Sequence, residues 1–312
     1  MDEALINALA KSRTPFLFIS DFKAEDVRII LLKDLKKEDI EFSIDEDAPY
    51  KKHSHFLEPK PIDFDKYAVK FEKIIEKICS GETYVLNLTQ ATPIKTTLPL
   101  KEIYARANAH YKLRYKDEFV CFSPEKFIQI SENTIHTFPM KGTIDASLKD
   151  AELRILEDEK ERAEHIMIVD LLRNDLSIVS KDVKVEEFRY VTKIKAGEKE
   201  LLQVSSHISG SLEDNWHENL GTILYSLLPA GSISGAPKKS TLSIIDEVEE
   251  YERGFFSGVF GVFDGEKFDS GVMIRFVEKT TEGYIYKSGG GITLDSDVNL
   301  EYNELQNKIY LP

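Results

Sequence analysis

Between residues 118 and 140, and again between 255 and 292, strand-like runs follow one another across short turns with no helix between them. "EKFIQISENTIHTF" alternates apolar and polar residues, and "GFFSGVFGVFD", "KFDSGVMIRFVEK" and "GYIYKSGGGITL" follow one another in the same way. Strands joined by tight turns pair antiparallel, whereas a parallel pair needs a crossover of a dozen or so residues. Strict alternation of strand and helix is absent, which argues against a Rossmann or TIM architecture. Antiparallel sheets with helices outside them are the expectation.

Helical spacing of apolar residues marks the helices. Tyr67, Phe71, Ile74, Ile75 and Ile78 predict one over 64–79, and further helices are expected over 100–112, 158–176, 215–228, 237–250 and 298–309. Residues 14–60 read as a small β/α start with a charged excursion over 33–55. "EPKPID" (58–63) reads as a linker, so the expected division is an N-terminal segment, 1–61, packed on a catalytic domain, 62–312.

Charge narrows the partners. With 41 basic and 55 acidic residues the chain carries a net −14. That argues against nucleic acid, which needs a basic face, and against a polybasic membrane anchor. An anionic ligand would need local positive charge or oriented N–H groups. Cys79 and Cys121 match no zinc or CxxC spacing and read as free thiols in a reducing compartment. No signal peptide and no apolar run long enough to span a bilayer is evident, so a cytoplasmic protein is expected.

Several side chains stand out. If the hairpin in "EKFIQISENTIHTFPMKG" centres on Asn133, then Ser131 faces Ile135, Ile128 faces Phe138 and Glu125 faces Lys141. On this reading alone Glu125 and Lys141 are a cross-strand ion pair. "PAGSISGAPKKS" could offer N–H groups to an anion, but lacks phosphate-loop spacing and fits an ordinary cap equally well. Three glycines in "KSGGGITLDSDVNLEYNE" precede Glu301 and Glu304, an i, i+3 pair that could hold a hard cation or simply face solvent. Glu164 shares a helix stripe with Met167, Ile168 and Leu171, so it needs a partner. Asp170, Arg173, Asn174 and Asp175 read as internal capping and pairing. Arg275 interrupts an apolar strand and calls for a carboxylate from the protein or a ligand.

Taken in order, "FSPEKF", "FPMKGT", "EHIMIVDLLRNDL", "PAGSISGAPK", "RGFFSGVFG", "GVMIRF" and "SGGGITLDSDVNLEYNE" closely resemble the chorismate-utilising enzymes over residues 62–312. That family includes anthranilate, aminodeoxychorismate, isochorismate and salicylate synthases. The resemblance implies an α+β fold of two large antiparallel sheets packed together with helices outside. It implies Mg²⁺ on Glu164 and Glu304 with Glu301 close by, and one substrate carboxylate on Arg275 and the N–H groups of Gly289 and Gly291. Gly142, Thr143 and Ser232 match further substrate contacts.

Two positions separate the subgroups. Val85 stands where isochorismate and salicylate synthases carry a water-activating lysine, and valine cannot accept a proton. Lys141, in "PMKGT", resembles the aminodeoxychorismate synthases, in which the lysine is the proposed nucleophile at C2 of chorismate; anthranilate synthases have alanine there. Glu125 would then be the protonated donor to the departing hydroxyl. Phe256, for a common tyrosine, and Gln203, for a histidine with His207 nearby, depart from the pattern.

The resemblance thus implies amination of chorismate at C4 for 4-aminobenzoate and folate synthesis. Ammonia would come from a separate glutamine amidotransferase, since neither cysteine sits in a Gly-flanked nucleophile elbow. Feedback by tryptophan is not expected, because the N-terminal region is short beside relatives that carry a tryptophan pocket. An anthranilate synthase component and a non-catalytic chorismate-binding protein are the alternatives.

Overall fold

The computed structural model describes residues 2–44, 57–196 and 199–311. Its strands form two sheets, of nine and eight strands, and every pairing is antiparallel. Strands from the first 44 residues are woven into both: Phe16–Ser20 pairs with Val259–Phe263, and Ile40–Ile44 with Tyr111–Tyr115. The expected charged excursion is therefore partly strand. The rest of it, 45–55, lies outside the described residues.

The sequence pattern follows from what covers each face. All five residues of Phe16–Ser20 are buried, because the strand is covered on both sides. Leu17 and Ile19 point between the sheets, against Tyr111, Leu113, Phe119 and Phe276. Phe16 and Phe18 point the other way, into the core shared with the helices. The sheets approach so closely that a Cβ on Gly271 would lie 2.5 Å from the Tyr111 ring. Among the described residues no helix is long and apolar enough to cross a membrane.

The helix Phe64–Cys79 falls on its expected bounds, and Asp63 caps it by accepting from the Asp65 N–H at 3.0 Å. The helix expected over 100–112 stops at Arg106, and Tyr111–Tyr115 is a strand with its own partners. The 131–135 turn also differs from expectation. Glu132 and Asn133 both take positive φ, 50° and 60°, which makes a two-residue loop. Ser131 then faces Thr134 and Ile130 faces Ile135. The strand ends at Thr137, and after Pro139 the chain crosses to pair Met140–Asp145 with Lys199–Ser211. Glu125 and Lys141 are therefore not cross-strand neighbours.

One buried ion pair joins the pieces around the future site. Glu249 and Arg253 are 2% and 3% exposed. Glu249 accepts from the Thr89 N–H and hydroxyl, both at 2.8 Å, and from Arg253 Nη2 at 2.6 Å. Arg253 also donates to the Ile233 carbonyl at 2.9 Å and the Asn87 carbonyl at 2.6 Å. Removing one partner strands the other in a dry interior. Arg253→Met is therefore expected to cost about 3–5 kcal/mol in denaturant unfolding. The Glu249→Gln, Arg253→Met double variant should cost less than the two single changes summed. A shift below about 1 kcal/mol in Arg253→Met would contradict this.

Candidate active site

Two acid pairs and two lysines form the floor of the site. Glu161 and Glu164 lie near the start of the helix Glu159–Val179, which is capped by Asp158 accepting from the Glu161 N–H at 2.9 Å. Glu301 lies in the first turn of the helix Val298–Asn307, capped by Asp297, and Glu304 one turn further along. The positive ends of the helix dipoles thus favour Glu161 and Glu301, which lie in the first turns.

Lys141 Nζ lies 2.7 Å from Glu164 Oε2, and its charge also senses Glu161 and Glu304. Lys308 Nζ lies 2.6 Å from Glu304 Oε1 and donates to the Gly289 carbonyl at 2.8 Å. The Ser296 hydroxyl donates to Glu301 at 2.8 Å.

This corrects the expected partner of Lys141. Its ion pair is with Glu164, not Glu125. Burial opposes the charge on Lys141, but Glu164 and the other acids outweigh burial and raise its pKa. The pairing shown here favours the charged form of the amine.

Glu161 was not among the expected site residues, although it repeats the i, i+3 spacing of Glu301 and Glu304. Burial and the neighbouring Glu164 push its carboxyl up, with Lys141 pulling the other way. Its Oε2 is buried with no hydrogen-bond partner. Glu301 is likewise pushed up by burial and by Glu304. Burial acts in the same sense on Glu304, but Lys308 and Lys141 prevail and hold its carboxyl below the ordinary value.

As the side chains stand, no three His, Cys, Asp or Glu residues among those described are drawn together as a metal cage. The donor set is nonetheless all oxygen, and the unpartnered Glu161 Oε2 calls for a cation. Both features fit a hard divalent ion shared by the two helices.

Glu125 stands apart from this floor. Burial raises its pKa, against a hydrogen bond with Ser232 and the charges of Arg275 and Lys308. Ser232 sits on the short turn Gly231–Ser234, and both residues line one cavity with Thr137, Phe138 and Asp175. Asp175 is a buried partner of Lys238 at 3.5 Å, on another helix, rather than part of the internal pairing expected for it.

Arg275 sits where the chain leaves one sheet at Val272 and enters the other at Phe276, with φ 53°. Its guanidinium lies over the Tyr310 ring at 5.4 Å, and its Nε has no hydrogen-bond partner. Among the described residues it forms no direct ion pair, although the Glu125 carboxylate is near enough to favour its charge and the Tyr310 side chain bonds it.

The three glycines follow from register. Gly289, Gly290 and Gly291 pair with Thr89, Leu88 and Asn87. The Thr89 N–H turns to Glu249, and the Asn87 carbonyl to Arg253, both away from the glycine strand. In an antiparallel ladder the N–H groups of Gly289 and Gly291 must then also turn away from that neighbour. They face the edge beyond Phe276, where the Gly289 carbonyl meets Lys308. Val85 is buried beside them, its Cγ2 3.8 Å from where a Gly291 Cβ would lie. A Cβ on Gly142 would lie 2.9 Å from Glu161 Oε2, at a φ of 94° suited to glycine. Thr143 is exposed and pairs with Gln203. Phe256 is buried between the sheets against Phe276, and His207 bonds His136 at 3.0 Å.

Comparison with known proteins bears on family and fold. The pattern of the chorismate binding enzymes matches residues 16–311. The chain is 44% identical over 315 residues to a protein of Haemophilus influenzae called an uncharacterized PabA-like protein, covering 98% of this chain and 94% of that one. It is 30% identical over 265 residues to aminodeoxychorismate synthase component 1 of Bacillus subtilis, covering 80% of this chain and 55% of that one. It thus spans little more than half the length of that synthase component. The fold superposes on MenF, the menaquinone-specific isochorismate synthase of Escherichia coli, with a TM-score of 0.75 at 15% identity, over 98% of this chain and 80% of that one.

The buried acid has a consequence for stability. Because the folded-state pKa of Glu125 lies above its ordinary 4.5, the native state binds the proton more tightly. Its penalty is absent below pH 4.5 and grows as pH rises to the folded value. Glu125→Gln removes the buried charge. The variant should melt higher than the parent at pH 7.5, and the gap should close on titration towards pH 4.5. Equal melting temperatures across that range would contradict the reading.

Proposed function

The chain belongs to the chorismate binding enzymes, and we propose that within them it exchanges the C4 hydroxyl of chorismate for an amino group. The product would be 4-amino-4-deoxychorismate, with ammonia supplied by a glutamine amidotransferase partner. The observation that carries this reading is the amine of Lys141, 2.7 Å from Glu164, among the acids of two helices.

A lysine there can act as a nucleophile once it is neutral. Lys141 holds its proton because Glu164 faces it. When Glu164 is engaged elsewhere, burial, which opposes the charge, prevails. Nζ then attacks C2, and the C4 hydroxyl departs as water with the proton of Glu125. Ammonia next forms the C4–N bond, Lys141 leaves C2, and the surplus proton returns to Glu125. The sum is chorismate plus ammonia giving aminodeoxychorismate plus water.

Burial favours the protonated form of Glu125 for its part, and Ser232 bonds it. Arg275, whose Nε has no hydrogen-bond partner, and the outward N–H groups of Gly289 and Gly291 suit the carboxylate of the enolpyruvyl arm. Mg²⁺ held by Glu164 and Glu304, with Glu301 beside them, would supply positive charge to the ring carboxylate and the departing hydroxyl. Val85, buried and unable to take a proton, argues against water as the nucleophile.

The test is an incubation with chorismate, Mg²⁺ and ammonium, with and without aminodeoxychorismate lyase. The parent should give 4-aminobenzoate only when lyase is present, and Lys141→Ala should lose at least about 100-fold in rate. Anthranilate from the parent would reject the assignment. Undiminished 4-aminobenzoate from Lys141→Ala would reject the nucleophile.

A further inference from the structure

The mechanism leaves one fully buried histidine without a task. His165 follows Glu164 on the same helix and is 0% exposed. Its Nδ1 lies 3.3 Å from the Lys141 carbonyl oxygen, and its Nε2 lies 2.7 Å from the Ser206 hydroxyl. Ser206, also 0% exposed, accepts from the Arg189 N–H at 2.9 Å.

The backbone explains why these groups meet. Two bulges flank one point of the strand Lys199–Ser211. On one side Met140 pairs with Ser205 and Thr143 with Gln203, so Lys141 and Gly142 together oppose a single residue. On the other side Glu187 pairs with His207 and Tyr190 with Ser205, so Phe188 and Arg189 do the same. A bulge leaves its extra residue outside the ladder. The freed Lys141 carbonyl and Arg189 N–H are the two ends that His165 and Ser206 connect.

The direction of the chain is fixed for a neutral ring. The Lys141 carbonyl can only accept, so the single ring proton lies on Nδ1, Nε2 takes the Ser206 hydroxyl proton, and the Ser206 oxygen is left to accept from the Arg189 N–H. Each step satisfies a buried group that would otherwise lack a partner.

We propose that His165 is a positioning residue that locks the bulge at Lys141, so that Glu164 and His165 together grip that lysine at its two ends. The carboxylate takes the ammonium and the imidazole takes the carbonyl, and the aim of the side chain is set by one turn of helix. What the aimed amine then does rests on the amination reading; the grip itself does not.

Two variants separate positioning from general packing. The amide of His165→Asn can reach the Lys141 carbonyl from the place of Nδ1, whereas His165→Leu cannot donate. Misplacement of a reacting group by an ångström costs rate far more than binding, so His165→Leu should lose about 30- to 100-fold in kcat. Its KM for chorismate should stay within about threefold, and His165→Asn should recover to within about fivefold of the parent. Ser206→Ala, which breaks the chain from outside the helix, should fall between them.

A second readout needs no turnover. Labelling of Lys141 by 2,4,6-trinitrobenzenesulfonate, followed by peptide mass spectrometry, should quicken at least about threefold in His165→Leu as the amine leaves Glu164, and stay near the parent rate in His165→Asn. Parental labelling in His165→Leu, or equal loss of kcat in the Leu and Asn variants, would overturn the proposal. Should His165→Leu fail to fold, parental kcat and labelling in Ser206→Ala would do so. If the parent makes no aminodeoxychorismate, the functional reading fails while the labelling still decides the grip.

Discussion

The dry ion pair between Glu249 and Arg253 is the constraint on which the site depends. It binds the strand Val85–Lys95 through Thr89 and Asn87, and the turn that carries Ser232 through the Ile233 carbonyl. Because the Thr89 N–H and Asn87 carbonyl are spent on this pair, the glycine strand opposite keeps the N–H groups of Gly289 and Gly291 on its other edge. One buried contact thus places the hydroxyl that meets Glu125 and the outward N–H pair of Gly289 and Gly291. A pair of this kind contributes little net stability compared with apolar packing, but it tolerates the loss of neither member.

Around that contact the two sheets divide the labour. Arg275 stands at the corner where the chain passes from one to the other, and Lys141 on a bulge of the nine-stranded sheet. The acids come from two helices that pack on these sheets, Glu159–Val179 on the strands Met140–Asp145 and Lys199–Ser211 and Val298–Asn307 on Gly283–Ile292. The site is therefore assembled from distant segments, each held by its own local device: a cap, a bulge or a ladder edge.

That division explains how much was legible in the sequence. The helix Phe64–Cys79 was, because a 3.6-residue apolar period and an Asp cap are local signals. Antiparallel pairing was, because the strands are adjacent. The family motifs carried Arg275, Glu164, Glu304 and the glycines to one region, and the structure brings them together. The partner of Lys141 was not legible. It depends on whether Glu132 and Asn133 both adopt left-handed backbone, which shifts the register by one, and on a bulge that no alternation of residues announces. Glu161 could have been found, since it repeats the spacing of Glu301 and Glu304 in front of the same kind of cap.

The four acids and the cations among them also bear on how a ligand is received. Lys141 and Lys308 already answer one acid of each helix, so the pocket is far less anionic than a chain of net −14 would suggest. A dicarboxylate arriving with a divalent cation brings no net charge. Its capture would then owe little to long-range attraction and would be only weakly screened by salt. Selection would rest instead on whether the incoming oxygens can replace, one for one, the contacts the lysines give up.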